Sequence, residues 1–512
     1  MSDFTRRSLL RAGGLALASA GAGNAAPDRP NILFICSDQH TAAALGSNGH
    51  PVVKTPHLDR LAANGVSFRN AYSGNPVCAP GRACMMTGKF ASDVGSYCNS
   101  TPFDGHVPSW GNRLRDAGYY CWATGKMDLW RNKDFGFHEV GTSHGHCEGP
   151  DITSLFRSPV CFRPDERKNV NGWFEERESP DKPKAVNAVK FLRDESRNTG
   201  KPWCMYVGYT KPHPKWIADA KYENVYPAAQ MPLPRWPDGY LEKRHDAFQV
   251  LANFKNVQVP FPADRIRRAR SAYYGMVTEV DEMVGVVLDE LDRTGQREKT
   301  LIIYTSDHGE MLGDHGLWLK NTLLEGAARV PLIFSGPGMP KGKTIETPVA
   351  HVDMVATMME LAGASTDGLR GHALTAMAHG QASGHPGFAY SESHSEGNCT
   401  GSFMIRKGEC KYLYFTGGDP LLFRMTDEMG EFVNLAKDKK FADVRKELHA
   451  HLTSLVDPDA VTRAGFRKQE NMLQERVKSM SAQDFYDDLV GRLGSMQARM
   501  LTYRYYNTGA KG

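Results

Sequence analysis

Four separated stretches of this 512-residue chain hold residue types that can do chemistry. Ser37-Asp38-Gln39 follows an apolar run. Cys78-Ala79-Pro80-Gly81-Arg82 leads to Thr87-Gly88-Lys89. Gly125-Lys126 is the third. Ser306-Asp307-His308-Gly309 is followed by Gly313-Asp314-His315-Gly316 and Lys320. Acids, imidazoles, a thiol and fixed cations of this kind can hold a metal, attack an electrophile or grip an anion. Each also has an ordinary reading when taken singly. Asp38 can cap a helix, Cys78 can be an inert buried thiol, Lys126 can be a surface lysine, and His213, His308 and His315 can be satisfied loop histidines. The order and spacing of the whole set carry the argument.

The elements around these stretches are of the kind that deliver side chains to one place. Asn31–Cys36 is an unbroken apolar run ending in Ser37-Asp38-Gln39-His40, which reads as a buried strand presenting a site at its carboxyl end. Thr55-Pro56 opens a helix closed by Asn64-Gly65. Pro80 suits the first turn of a helix, so Cys78 would sit near a helix N-terminus, where developing negative charge is favoured. Further strands are expected at Tyr119–Thr124, Trp203–Tyr209, Leu301–Thr305 and Val330–Phe334. An amphipathic helix is expected from about Arg268 to Arg293, with Tyr273, Val277, Val280, Val284, Leu288 and Leu291 as its stripe and Gly295 as its stop. Val352–Leu361 is another. Strands alternating with helices predict an α/β sheet covered on both faces, with its site beyond the carboxyl ends of the strands. Residues 140–270 read as long loops decorating one rim. After about residue 380 the pattern changes to short strands at Ser402–Arg406, Lys411–Tyr414 and Leu421–Arg424 and helices at 438–455 and 481–500. The expected organisation is a segment at 1–26, a main domain at 27–380 and a smaller α+β subdomain at 381–512.

The motif set resembles the formylglycine-dependent sulfatases, a family with the alkaline-phosphatase-like fold. That fold is a large, mostly parallel sheet sandwiched by helices. Cys78-Ala79-Pro80-Gly81-Arg82 matches the family's Cys-x-Pro-x-Arg nucleophile motif, about forty residues after a strand ending in Asp and far ahead of the Asp-His-Gly strand end at 307. The resemblance covers residues 29–345 motif by motif. It continues through Leu422-Phe423-Arg424 and Glu431-Phe432-Val433-Asn434-Leu435. It implies that a maturation enzyme oxidises Cys78 to formylglycine (3-oxoalanine), whose hydrate attacks sulfur. It implies one divalent cation on Asp38, Gln39, Cys78, Asp307 and His308, with calcium favoured and manganese or magnesium as alternatives. Arg82, Lys126 and Lys320 would clamp the sulfate oxygens, and His213, in Lys211-Pro212-His213-Pro214, would face the leaving-group oxygen.

One departure stands out. Many family members carry a second histidine two or three residues after the first lysine, whereas here Lys126-Met127 is followed by Asp128-Leu129-Trp130. Asp128, His106 and His315 are the candidates for its role. The activity implied is hydrolysis of a carbohydrate or small alkyl sulfate ester. The alternatives are hydrolysis of a phosphonate monoester or phosphodiester on the same site, and a non-catalytic binding protein.

Composition is that of a globular protein and removes other classes. Hydrophobic residues make up 41% and charged residues 23%, which excludes collagen-like and disordered chains. The 62 basic and 58 acidic residues nearly balance, and no long basic run occurs, so nucleic acid is not an expected partner. Ten cysteines at irregular spacing, with no CxxC pair, do not make a disulfide or zinc framework. Arg6-Arg7, the small apolar stretch Gly13–Ala22 and Asn24-Ala25-Ala26 have the form of a twin-arginine export signal, which points to a periplasmic or otherwise exported protein. The Tyr503-Arg504-Tyr505-Tyr506 cluster can pack on the main domain, line a substrate mouth or pair with another subunit in a homo-oligomer.

Overall fold

The computed structural model describes residues 29–140, 146–147, 151–157, 160–427 and 429–507. The export segment expected at 1–26 lies outside the described residues.

The apolar runs become the centre of an eight-stranded sheet. Its order is Lys343–Ile345, Val66–Phe68, Leu332–Ser335, Thr300–Ser306, Asn31–Ser37, Trp203–Gly208, Tyr120–Gly125 and Glu139–Val140. Only the Leu332–Ser335 strand runs against its neighbours. The four central strands are parallel and end together. Ser37 lies beside Ser306, Cys36 beside Gly208, and Gly208 beside Gly125. The residues after these strand ends therefore emerge at one edge of the sheet, and they are Asp38, Asp307, the 209–213 loop and Lys126.

Alternation along the first strand explains the layers. Leu33 and Ile35 face one core with Val280, Val284, Val287, Leu288 and Leu291 of the 31-residue helix Ala263–Arg293. Ile32, Phe34 and Cys36 face the other, with Met354, Val355 and Met358 of the helix His351–Ala362. A fully buried Val or Leu contributes about 1.5–3 kcal/mol, so each face is strongly specified and a one-residue slip would invert both.

Beyond the main sheet lies an antiparallel sheet of Phe388–Ser393, Ser402–Lys407, Cys410–Phe415 and Leu421–Arg424. The helices Ala442–Leu455, Pro458–Lys478 and Ala482–Tyr506 come after it. Nine cysteines are free thiols and seven of these are buried, so among the described residues no disulfide framework holds the fold. No helix of the described residues is long and apolar enough to cross a membrane.

Several expectations need correction. The long helix starts at Ala263 rather than near 268, because its first turn is polar and adds little to the stripe; Pro262 precedes it. The single strand expected at Val330–Phe334 is two, since Pro331 lacks an N–H. Arg329–Val330 joins a small sheet with Ala71–Tyr72, and Leu332–Ser335 joins the main one. The loop region 140–270 also contains the helices Lys182–Lys190 and Asp246–Phe254 and a parallel pair, Gly172–Glu175 with Trp216–Asp219. The helix Pro458–Lys478 and the strand Phe388–Ser393 were not foreseen. The helix expected at 438–455 starts at Ala442 after a short turn, and that expected at 481–500 extends to Tyr506.

Candidate active site

Two strand ends supply the floor. Asp38 follows Ser37 and Asp307 follows Ser306, and register makes them neighbours. Both carboxylates are fully buried. The Gln39 backbone turns into the left-handed region (φ 71°), which lets its N–H donate to Asp307 Oδ1 at 3.1 Å, and His308 N–H donates to the same oxygen at 2.9 Å. Gly208 is needed where the strand edge meets Lys126, because a Cβ there would stand 2.2 Å from the Lys126 carbonyl oxygen.

The helix Cys78–Thr87 supplies the third wall, with Cys78 as its first residue and every residue buried. Its N-cap, Val77, has no side chain able to accept a hydrogen bond. Asn99 does that work from another segment, its Oδ1 accepting from Ala79 N–H at 3.1 Å. Gly88 closes the helix in the left-handed conformation (φ 63°). Gly81 lets the first turn approach the strand end, since a Cβ there would lie 3.0 Å from the Asp307 carbonyl oxygen.

These walls place the expected residues around one sulfur atom. Lys320 Nζ donates to Cys78 Sγ at 2.7 Å, His308 Nε2 lies 3.3 Å from it, and Asp38 Oδ1 lies at 4.0 Å. Arg82 donates through Nε to Asp307 Oδ2 at 2.9 Å and through a terminal nitrogen to Asp38 Oδ2 at 3.3 Å. Tyr206 OH and the Lys126 carbonyl accept from its other terminal nitrogen. The Lys126 ammonium donates to Asp38 Oδ2 and lies 3.2 Å from Asp128. Asp38, Arg82, Lys126, Asp307, His308 and Lys320 are thus gathered at Cys78.

Gln39 is tied to the site by its backbone N–H on Asp307, and His213 lies on the loop after the Trp203–Gly208 strand. His213 is half-buried, and its Nδ1 engages the Pro214 carbonyl at 2.7 Å. Lys211 pairs with buried Glu279, and Trp216 donates to the Pro212 carbonyl, so both hold the loop that carries His213.

The electrostatics favour anions at this point. Burial raises the Asp38 carboxyl, yet Lys126, His213, Lys320 and Arg82 together hold it well below the ordinary range. Burial and Asp38 push the Cys78 thiol up, but Lys126, Lys320 and His308 outweigh them and hold it well below a normal thiol. Burial works against the charge on Lys126, while Asp128, Asp38 and Cys78 keep its ammonium well above its usual range.

The donor set fits a divalent cation. Among the described residues, ligand atoms of Asp38, Cys78, Asp307 and His308 all lie within 4.8 Å of one another. His308 Nδ1 faces the Gly309 carbonyl at 3.0 Å, which leaves Nε2 as the nitrogen that could hold a cation. The Gln39 side-chain oxygen is buried with no hydrogen-bond partner, an acceptor in need of a ligand.

Of the three candidates for the absent histidine's role, only Asp128 stands here, 3.2 Å from Lys126 and 3.5 Å from Arg82. His106 is a half-exposed residue paired with Asp104. His315 is buried against Phe432 and Tyr240, and burial with Lys411 and Arg244 pushes its imidazole down to about 3. Asn99, Tyr206, Lys255 and Glu310 were missed by the sequence reading. Only Glu310 had a local signal, as the polar residue closing Asp-His-Gly-Glu.

Residues 30–364 match the family model described as Sulfatase, and residues 313–457 match one described as N-sulphoglucosamine sulphohydrolase, C-terminal. Choline-sulfatase of Rhizobium meliloti (strain 1021) is 30% identical over 80% of this chain and 83% of its own length. Arylsulfatase K of Danio rerio is 29% identical over 91% of both chains. The solved structure of a phosphonate monoester hydrolase of Agrobacterium radiobacter superposes with a TM-score of 0.69 at 25% identity, covering 83% of this chain and 95% of that one.

Proposed function

Because this chain belongs to the sulfatase family and is a sulfuric ester hydrolase, we propose that it cleaves a carbohydrate or small alkyl sulfate through a formylglycine made from Cys78. The observation that carries this reading is the convergence on Cys78 Sγ of Lys320 at 2.7 Å and His308 at 3.3 Å, over two buried carboxylates at a helix N-terminus.

In this reading Lys126 and Lys320 take the sulfate oxygens, replacing water with fixed cations where charge moves in the transition state. Arg82, expected from the sequence to join them, is buried and holds the Asp38 and Asp307 carboxylates instead. One hydroxyl of the hydrated aldehyde at position 78 attacks sulfur, its proton passing to solvent water that later reprotonates His213, and the ester S–O bond breaks. His213 donates a proton to the departing alkoxide, which leaves as alcohol. The second hydroxyl then loses its proton, and the C–O bond to the bound sulfate breaks. Sulfate departs, the aldehyde re-forms, and one water rehydrates it. Ester and water are thus consumed, and alcohol and hydrogen sulfate formed. Asp128, salt-bridged to Lys126, takes the proton of the second hydroxyl in place of the absent histidine.

Asp38, Gln39, Asp307 and His308 would hold a divalent cation, which supplies Lewis acidity to the nucleophile. Calcium is proposed, with manganese or magnesium as alternatives that metal analysis of the purified protein separates. Oxidation of Cys78 requires a maturation enzyme, and the Arg6-Arg7 segment supports export through the twin-arginine machinery to the periplasm.

A panel of sulfated sugars and small alkyl sulfates, assayed on matured, metal-loaded protein, tests the substrate class. Release of sulfate from none of them would contradict it. The similarity to a phosphonate monoester hydrolase supports a second reading, hydrolysis of phosphonate monoesters or phosphodiesters on the same site. Parallel assays of an aryl sulfate and an aryl phosphonate decide between the two by kcat/KM.

A further inference from the structure

We infer that Glu310 is a positioning residue that fixes which end of the Gln39 amide faces the cation and, with its other oxygen, holds the loop presenting Lys320. The inference rests on the cation site proposed above and goes beyond its ligand set.

The amide of Gln39 has two ends that differ by one heavy atom. Which end points into the site is decided by the hydrogen bonds around it. Here Gln39 Nε2 donates to Glu310 Oε2, and Oε1 is left buried without a hydrogen-bond partner. A carboxylate accepts and never donates, so it can be satisfied only by the nitrogen end. The oxygen end is thereby turned away from Glu310. An amide oxygen is a good ligand for a hard cation, whereas an amide NH₂ is not a ligand at all. The Gln39 backbone cannot swing to compensate. Its N–H is held by Asp307, and its carbonyl accepts from Tyr273 OH at 2.7 Å.

Glu310 Oε1 is committed elsewhere. It accepts from Leu312 N–H at 3.0 Å and from Leu319 N–H at 2.6 Å. Leu319 and Asn321, which flank Lys320, both have positive φ (65° and 77°). Such backbone is uncommon for a leucine and persists only when its surroundings over-determine it. The surroundings do so. The buried Lys255 ammonium donates to the Trp318 and Lys320 carbonyls, Asn321 N–H donates to the Pro76 carbonyl at 3.2 Å, and Met311 N–H donates to the Leu319 carbonyl at 2.9 Å. One carboxylate thus touches a cation ligand on one side and the sulfate-gripping loop on the other.

Replacing the carboxylate by an amide has a defined consequence. In Glu310→Gln the new amide oxygen stays on the two backbone N–H groups, and the new NH₂ faces Gln39. Two NH₂ groups cannot bond, so Gln39 turns over and offers its nitrogen to the site. Adding Gln39→Glu restores an acceptor toward position 310 and an oxygen toward the cation, and it returns the pair to its original charge.

The test titrates Mn²⁺ alone into the metal-stripped full-length protein by calorimetry, with the thermal midpoint measured alongside. Glu310→Gln is expected to weaken Mn²⁺ binding by about 10–100-fold. The double variant Glu310→Gln, Gln39→Glu is expected to bind within about threefold of wild type or tighter, because the hydrogen-bond complement is restored. A merely structural role for Glu310 would not be rescued by a change at Gln39. If Glu310→Gln does not fold, the double variant decides by itself, since it keeps the charge and the donor–acceptor match. Unchanged Mn²⁺ affinity in Glu310→Gln, or a folded double variant that stays ten or more times weaker than wild type, overturns this inference alone. No Mn²⁺ binding by wild type overturns it together with the cation site.

Discussion

The floor of the site and the C-terminal helical hairpin are built on opposite principles. On the floor, Asp38, Arg82, Asp307 and His308 are almost completely buried, and each is held by charged or hydrogen-bonding neighbours from distant sequence. The hairpin of Pro458–Lys478 and Ala482–Tyr506 has one buried side, with Leu473, Phe485, Leu489, Leu493 and Leu501 packed on Cys98, Ile152, Leu155, Phe156 and Cys161. Its outer side leaves Met496, Met500 and Tyr503 more than 60% exposed. The floor falls within the matched family residues, whereas the hairpin lies beyond residue 457, where the C-terminal match ends. The difference separates two jobs. Chemistry needs a few fixed charges at strand ends, and the hairpin packs on the surrounding segments, touching them with an ion pair, Arg492 with Asp151.

Substitutions can sharpen or break that division. Cys78→Ala should lower kcat by at least about a thousandfold, since it removes the group on which the whole mechanism depends, with the thermal midpoint little changed. Lys320→Ala should cost about 10²–10³ in kcat, the scale of one preorganised charge donor, and more in kcat than in KM. Asn99→Ala lies on the boundary, because Asn99 follows Cys98 of the hairpin's packing cluster and caps the helix that begins at Cys78. Loss of a cap costs about 1 kcal/mol, so a fall in kcat of roughly tenfold with a modest drop in stability is expected. Leu489→Ala should cost about 2–5 kcal/mol in stability yet leave kcat/KM on a small aryl sulfate at 25 °C within about twofold. A large loss of activity in the folded Leu489→Ala protein would show that the hairpin is part of the catalytic machinery after all.

Sequence reading reached the floor much further than the hairpin, for a physical reason. Asn31–Cys36 is apolar on both faces and can only be a covered strand, so the acid after it had to emerge at the sheet's carboxyl edge. The same logic located Asp307. The hairpin helix Pro458–Lys478 was passed over because its buried side includes Thr462, Gly465 and Gln469, which make no apolar stripe. Asn99 and Lys255 act through contacts that exist only after folding: one caps a helix 20 residues earlier in the chain, the other holds a loop 63 residues later. The turn at Leu319–Asn321 carries no glycine to announce its positive φ, because tertiary hydrogen bonds impose it.

The central claim is that position 78 carries an aldehyde hydrate gripped by the charges around it. Peptide mass spectrometry of active protein from its natural producer tests this most directly. The account predicts a peptide containing residue 78 that is about 18 Da lighter than the cysteine form and reacts with a hydrazide reagent. An unmodified Cys78 thiol throughout a preparation that cleaves sulfate esters at full rate would contradict it.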